Sequence, residues 1–152
     1  KEEGMIISID MASYNVVEAN LDFLKYLIKE YIDIVFANEE EAKAFTGKYP
    51  CEALMEISNI CDIAVVKVGE HGSMLQNGDF IVEASPIKVE AIDTTGAGDN
   101  YAAGFLYGYI NGWDFYKCTK AGSILAGNVI EVIGTKMDDK RWTNIKEMIA
   151  SL

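Results

Sequence analysis

Hydrophobic residues in this chain fall into short unbroken runs that alternate with longer stretches of helical spacing. Met5 to Asp10 (MIISID) is an apolar, β-branched run closed by an acid, and Val16 to Tyr31 then carries Val17, Leu21, Leu24, Leu27 and Ile28 at helical intervals. That pattern predicts strand, loop, helix. Asp33 to Ala37 (DIVFA) is a second apolar run, followed by Asn38 in the place of a helix N-cap and by Glu39 to Phe45, a strongly helix-forming stretch that stops at Gly47. Glu52 to Ile60 predicts a further helix. Ile63 to Val68 (IAVVKV) predicts a strand, and its continuous hydrophobicity suits burial on both faces. Three apolar strands separated by helices predict a parallel α/β sheet.

The pattern then changes. Ser73 to Gln76, Phe80 to Ala84 and Ile87 to Ile92 read as short strand-like segments separated by Asn77-Gly78-Asp79 and Ser85-Pro86, and Asn-Gly between apolar residues is a hairpin signal. From Gly96 the chain reads as helical to its end, in three pieces broken near Asn111-Gly112 and Gly134-Thr135. No repeat, low-complexity tract or linker interrupts it, so residues 1–152 are expected to form a single domain.

Composition narrows the function. The 152 residues include 13 Lys+Arg against 24 Asp+Glu, a formal net charge of −11, with 50% hydrophobic residues. The apolar share supports a real core, while so acidic a surface argues against nucleic acid and against anionic membrane surfaces as partners. No apolar stretch reaches the roughly 18 residues of a bilayer span, and no signal peptide is expected. Cys51, Cys61 and Cys118 are odd in number, widely spaced and accompanied by one histidine. They read as reduced, mostly buried thiols of a cytoplasmic protein. The chain opens Lys1-Glu2-Glu3-Gly4 without an initiator Met, which fits a piece of a longer polypeptide.

The segment richest in chemistry is Ala91 to Leu106, AIDTTGAGDNYAAGFL, in which a strand is expected to enter and a helix to leave. Gly96 and Gly98 remove side chains and permit unusual dihedrals, so that successive N–H groups at a helix N-terminus can face one anion. Asp99 falls in the first turn. Beside a ground-state phosphate it would repel, but it has a purpose if it takes a proton from an attacking hydroxyl while the N–H groups stabilise a transferring phosphoryl group. The plainer reading is a helix-dipole partner. A dinucleotide fingerprint from Gly96 would need glycine where Tyr101 stands, and a P-loop on Gly122 and Gly127 would need lysine where Asn128 stands.

Asp93-Thr94-Thr95-Gly96-Ala97-Gly98-Asp99 resembles the C-terminal signature of the ribokinase-like (phosphofructokinase-B type) family of sugar and nucleoside kinases. Asn38-Glu39-Glu40-Glu41 resembles the family's N-x-x-E motif, and Lys67-Val68-Gly69-Glu70-His71-Gly72-Ser73 its G-x-x-G nucleotide loop, in the same order. The resemblance implies a three-layer α/β/α ribokinase-like fold with a mainly parallel sheet, truncated on its N-terminal side. It implies Asp99 as catalytic base and the backbone of Gly96, Ala97 and Gly98 as anion hole. Asn38 and Glu41 would act on Mg²⁺ and the ATP phosphates, Glu41 through water, and Lys67, Gly69 and Gly72 would approach the nucleotide. The alternatives are a capped acidic helix start for Asn38 and Glu41, a plain turn for the glycines, and a snorkelling lysine.

The stretch Gly122 to Ile130 resembles the family's adenine wall, with Asn128 beside base or ribose; tight helix packing by Gly and Ala is the other reading. Asp93, with nearby carbonyls including that of Gly134, matches a site for a monovalent cation such as K⁺. His71 reads as an exposed loop residue, and Tyr101, Phe105, Tyr107 and Tyr109 as helix packing. The implied activity is ATP-dependent phosphorylation of a sugar or sugar-like hydroxyl, with a nucleoside as alternative acceptor and a catalytically silent nucleotide-binding fragment as the alternative from another class. An apolar sheet edge left by truncation would favour a homodimer.

Overall fold

The computed structural model describes residues 4–152, which group into two compact units. The first takes in the described residues up to Gly69 together with Ser73–Glu83, and the second Glu70–Gly72 with Ala84–Leu152.

The first unit is a sheet with helical crossovers. Its strands β1 (Ser8–Asp10), β2 (Ile34–Asn38), β3 (Ile63–Lys67), β4 (Ser73–Asn77) and β5 (Phe80–Ala84, whose last residue belongs to the second unit) lie in that order. β1, β2 and β3 run parallel, with Asp10 opposite Phe36 and Asn38 opposite Lys67, and β4 returns antiparallel to β3. The sheet is therefore mixed and mostly parallel. Helices α1 (Tyr14–Ala19) and α2 (Leu21–Tyr31) link β1 to β2, and α3 (Glu39–Thr46) and α4 (Pro50–Ser58) link β2 to β3. Val35, Ala37, Ala64 and Val66 point to the helix side and pack with Val17, Ile28, Phe45, Leu54 and Ile57. Ile34, Phe36, Ile63 and Val65, which alternate with them, are buried as well. Burial of each large aliphatic or aromatic side chain contributes about 1.5–3 kcal/mol.

Two boundaries differ from the sequence pattern. The single helix expected over Val16 to Tyr31 is two helices, because Asn20 turns its amide onto the Val16 carbonyl at 2.9 Å and leaves helical geometry. The first strand is shorter than Met5 to Asp10, although the Ile7 carbonyl still accepts from the N–H groups of Asp33 and Ile34.

The second unit is helical: α5 (Ala97–Ile110), α6 (Phe115–Val129) and α7 (Asp139–Ala150). α5 and α6 touch backbone to backbone. A Cβ on Gly104 would lie 2.5 Å from the Ala121 carbonyl oxygen, and one on Gly122 would lie 2.8 Å from that of Tyr101. Ile124, Val129, Met137 and Ile145 form the core between α6 and α7.

The strand expected at Ile87 to Ile92 is absent. The segment is extended, but the N–H groups of Ile92 and Asp93 both donate to the Ile130 carbonyl beyond α6, at 2.7 and 3.1 Å, and Ile87 fills the space over Gly127. Its apolar residues serve packing against a helix. Of the thiols, Cys118 is buried, Cys61 half-buried and Cys51 exposed, so the expectation of mostly buried cysteines fails at Cys51, which lies in the first turn of α4. Burial pushes the Cys61 thiol up to about 12 and that of Cys118 up to about 11. Among the described residues no helix is long and apolar enough to cross a membrane.

Gly72 and Gly47 both have positive φ, but a Cβ on Gly72 would collide with the Ala84 carbonyl oxygen whereas one on Gly47 meets open space. Gly47→Ala should cost about 1–2 kcal/mol of left-handed strain, and Gly72→Ala a further ~1–3 kcal/mol for displaced backbone. Urea unfolding midpoints of the two variants check this ordering.

Candidate functional site

In the first unit the chemistry gathers where the parallel strands end. Asp10 closes β1, Asn38 closes β2 and Lys67 closes β3. Asp10 Oδ1 accepts from the Ala12 N–H at 3.1 Å, and its Oδ2 receives Lys67 Nζ at 2.6 Å. Lys67 thus reaches across β2 to the far strand, with 14% of its side chain exposed. The loop between carries Ala12 at φ 66, a left-handed conformation uncommon for a residue with a Cβ.

Asn38 and Glu41 close a reciprocal cap on α3. The Asn38 Oδ1 accepts from the Glu41 N–H at 2.8 Å, while the Glu41 oxygens accept from the Asn38 N–H and Nδ2, each at 2.7 Å. Glu41 is only 3% exposed. Desolvation pushes its carboxyl above the ordinary carboxylate range; the Asn38 N–H opposes that shift, Asp10 adds to it and Lys67 again opposes it. The capped-helix reading is therefore realised, and the cap also holds a buried carboxylate within the electrostatic reach of Asp10 and Lys67. Gly69 begins a single 3-10 turn, Gly69–His71, and His71 is exposed.

The second unit carries the Asp93–Asp99 loop. Gly96 is left-handed at φ 77 and starts α5 with no side chain capping it. Gly98 lies inside the first helical turn, so of the two glycines expected to adopt unusual dihedrals only Gly96 does so. The Ala97 N–H is taken by the Thr94 carbonyl at 3.1 Å, whereas those of Gly96, Gly98 and Asp99 find no acceptor among the described residues. The exposed Asp99 carboxylate has no hydrogen-bond or ion-pair partner among them either. Asp93 is engaged: Oδ1 accepts from the Thr95 N–H at 2.9 Å and Oδ2 from the Gly134 N–H at 2.8 Å. The Thr95 side chain, then the Gly134 and Thr95 N–H groups, hold its carboxyl down to about 2.

Asn128 is buried and turned inward. Its Nδ2 donates to the Ile124 carbonyl at 2.9 Å, and its Oδ1 accepts from Arg141 Nη1 at 3.4 Å, the same nitrogen that meets Glu131 Oε2 at 2.6 Å. The Arg141–Glu131 pair was invisible in the sequence pattern, since it joins the turn after α6 to α7 across ten residues. Thr135, whose methyl carbon would lie 2.7 Å from a Cβ on Gly96, was equally silent. The Asp93-x-Thr95 spacing, by contrast, is a recognisable Asx turn. Gly122 and Gly127 face Tyr101 and Ile87, so the tight-packing reading accounts for both. Among the described residues no cluster of three His, Cys, Asp or Glu side chains could hold a metal by itself.

Residues 9–141 match the pfkB family carbohydrate kinase description. Over 119 residues the chain is 33% identical to an uncharacterized sugar kinase of Archaeoglobus fulgidus, covering 78% of this chain and 48% of that protein. A probable sugar kinase from Rhizobium etli CFN 42 superposes with a TM-score of 0.91 and the adenosine kinase from Sinorhizobium meliloti with 0.90, both at 33% identity and covering 97% of this chain and 46% of theirs. The chain spans about half the length of the relatives it matches.

Asp93 and Glu41 should act on stability with opposite signs. The lowered Asp93 carboxyl contributes stability that is present above its ordinary value of 3.8 and lost as pH falls towards about 2. The raised Glu41 carboxyl withdraws stability as pH rises from its ordinary value of 4.5 through its folded value. Urea midpoints measured across pH should lose the first dependence in Asp93→Asn and the second in Glu41→Gln.

Proposed function

The chain belongs to the pfkB family of carbohydrate kinases, and on that footing we propose that it forms the nucleotide-binding and catalytic part of an ATP-dependent kinase that phosphorylates a hydroxyl of a sugar or sugar-like small molecule. The observation that carries this reading is the start of α5, a helix N-terminus with no side-chain cap and with a carboxylate in its first turn that meets no partner among the described residues. Uncapped N–H groups and aligned peptide dipoles favour negative charge, and charge is spread over the phosphoryl oxygens during transfer. The Gly96-Ala97-Gly98 backbone forms the anion hole through its Gly96 and Gly98 N–H groups, the Ala97 N–H being held by the Thr94 carbonyl. Asp99 accepts the proton of the acceptor hydroxyl as its oxygen bonds to phosphorus and the bond to the departing ADP breaks. The proton is left on Asp99.

Asn38 and Glu41 fit a hydrated Mg²⁺. Each Glu41 oxygen already accepts one hydrogen bond from Asn38 and keeps a lone pair for a metal-bound water. Mg²⁺ bound with the nucleotide supplies neutralisation of phosphate charge. Lys67 serves as a phosphate contact from the end of β3, and Gly69 and Gly72 let backbone approach the nucleotide. Asn128, held by Arg141, belongs to the base side. The ionised Asp93 carboxylate supplies negative charge beside the loop, which suits K⁺.

A nucleoside acceptor is the second reading, favoured by the likeness to the Sinorhizobium meliloti adenosine kinase at the same identity and coverage as the sugar kinase from Rhizobium etli. ATP consumption by the complete gene product against a panel of sugars and nucleosides separates the two. Asp99→Asn should lower kcat about 10²–10⁴-fold while ATP affinity is kept. Wild-type activity in that variant would remove Asp99 from the mechanism. ATP binding without turnover by the complete product, whatever the acceptor, would favour a silent nucleotide-binding protein.

A further inference from the structure

We infer that Asp93 is a positioning residue for phosphoryl transfer, because it ties the turn at Gly134 and Thr135 to the loop ahead of α5 and so holds the Gly96–Gly98 backbone in its working shape. The inference rests on the kinase reading and extends it to a residue that touches no reacting group. Glycine is the most conformationally free residue, so nothing in Gly96 itself selects φ 77. The selection comes from its neighbours. Thr135 packs its methyl group where a Cβ would be, and Asn100 Nδ2 donates to the Gly96 carbonyl at 2.9 Å.

Asp93 fixes both sides of that arrangement with one carboxylate. Through Oδ1 it closes the turn onto the Thr95 N–H, and through Oδ2 it accepts from Gly134, 41 residues along the chain. Two further bonds, from the Ile92 and Asp93 N–H groups to the Ile130 carbonyl, run alongside it. The 92–95 segment and the 130–134 segment are thereby joined by three backbone N–H donors, and Asp93 supplies the acceptor nearest the glycines. An anion hole works by donors aimed before charge develops, so a loop freed at this point loses rate more than binding.

Asp93→Asn separates the two halves of the tie. Its Oδ1 can still accept from Thr95, but its amide nitrogen faces the Gly134 N–H donor to donor. In the complete gene product we expect Asp93→Asn to lower kcat by about 10–100-fold, less than the roughly 10²–10³-fold that outright removal of an anion-hole donor costs. The KM for ATP should stay within about 2–3-fold and the pH at which activity rises should not move. Amide hydrogen exchange read on the same variant should speed up at Gly134 and at Ala97, whose N–H groups are the hydrogen-bonded ones at this point, while the interior of α6 keeps its protection. An unchanged kcat, or a loss of kcat accompanied by loss of protection throughout α6, overturns the proposal. If the wild type turns over no acceptor, the kinase reading fails separately. Exchange then decides, and unchanged rates at Gly134 and Ala97 in Asp93→Ala overturn the tie itself.

Discussion

Parallel pairing of β1, β2 and β3 is the constraint from which the arrangement of the first unit follows. Parallel neighbours cannot be joined by a tight turn, so β1 and β2 are each followed by a helical crossover that brings the chain back to the same starting side. All three carboxyl ends then lie on one edge, and the residues that close the strands, Asp10, Asn38 and Lys67, become neighbours although they are far apart in sequence. Lys67 spans the middle strand to meet Asp10, and α3 begins directly at Asn38. Glu41 can be buried in such a place because Asn38 offers it two donors. Without them a desolvated carboxylate would be strongly unfavourable.

The second unit meets a different demand. A loop that presents bare N–H groups must be free of side chains and also rigid, and glycine supplies only the first property. Rigidity is imported from Thr135, Asn100 and the Asp93 carboxylate. The carboxylate proposed above for a cation already accepts from two peptide N–H groups. Its ionisation therefore serves backbone geometry directly.

Features decided within a few residues were legible in the sequence. The Asn38–Glu41 cap, the Gly47 stop, the turn at Asn77-Gly78 and the three helices after Gly96 depend on i to i+4 relations or on glycine dihedrals. Ile87 to Ile92 misled because alternation of apolar residues reports burial and says nothing about whether a strand or a helix end receives the N–H groups. Lys67–Asp10 and Gly134–Asp93, separated by 57 and 41 residues, had no local signature at all. The ambiguity at Gly122 was of another kind. Small residues suit close approach by a flat ring or by a helix, and only three-dimensional placement showed Tyr101 of α5 occupying that space.

That contact between α5 and α6 also limits how such a chain can change over time. Gly104 and Gly122 each face backbone of the opposite helix, and backbone cannot step aside as a flexible side chain can. A single methyl group gained at either position forces the two helices apart, disturbing every contact along their shared length. Sequence drift here has no small first step. A lineage could leave these glycines only by repacking both helices at once, so the pair should behave as a fixed hinge pin around which more permissive positions, such as exposed Ala103 and Tyr107, are free to vary.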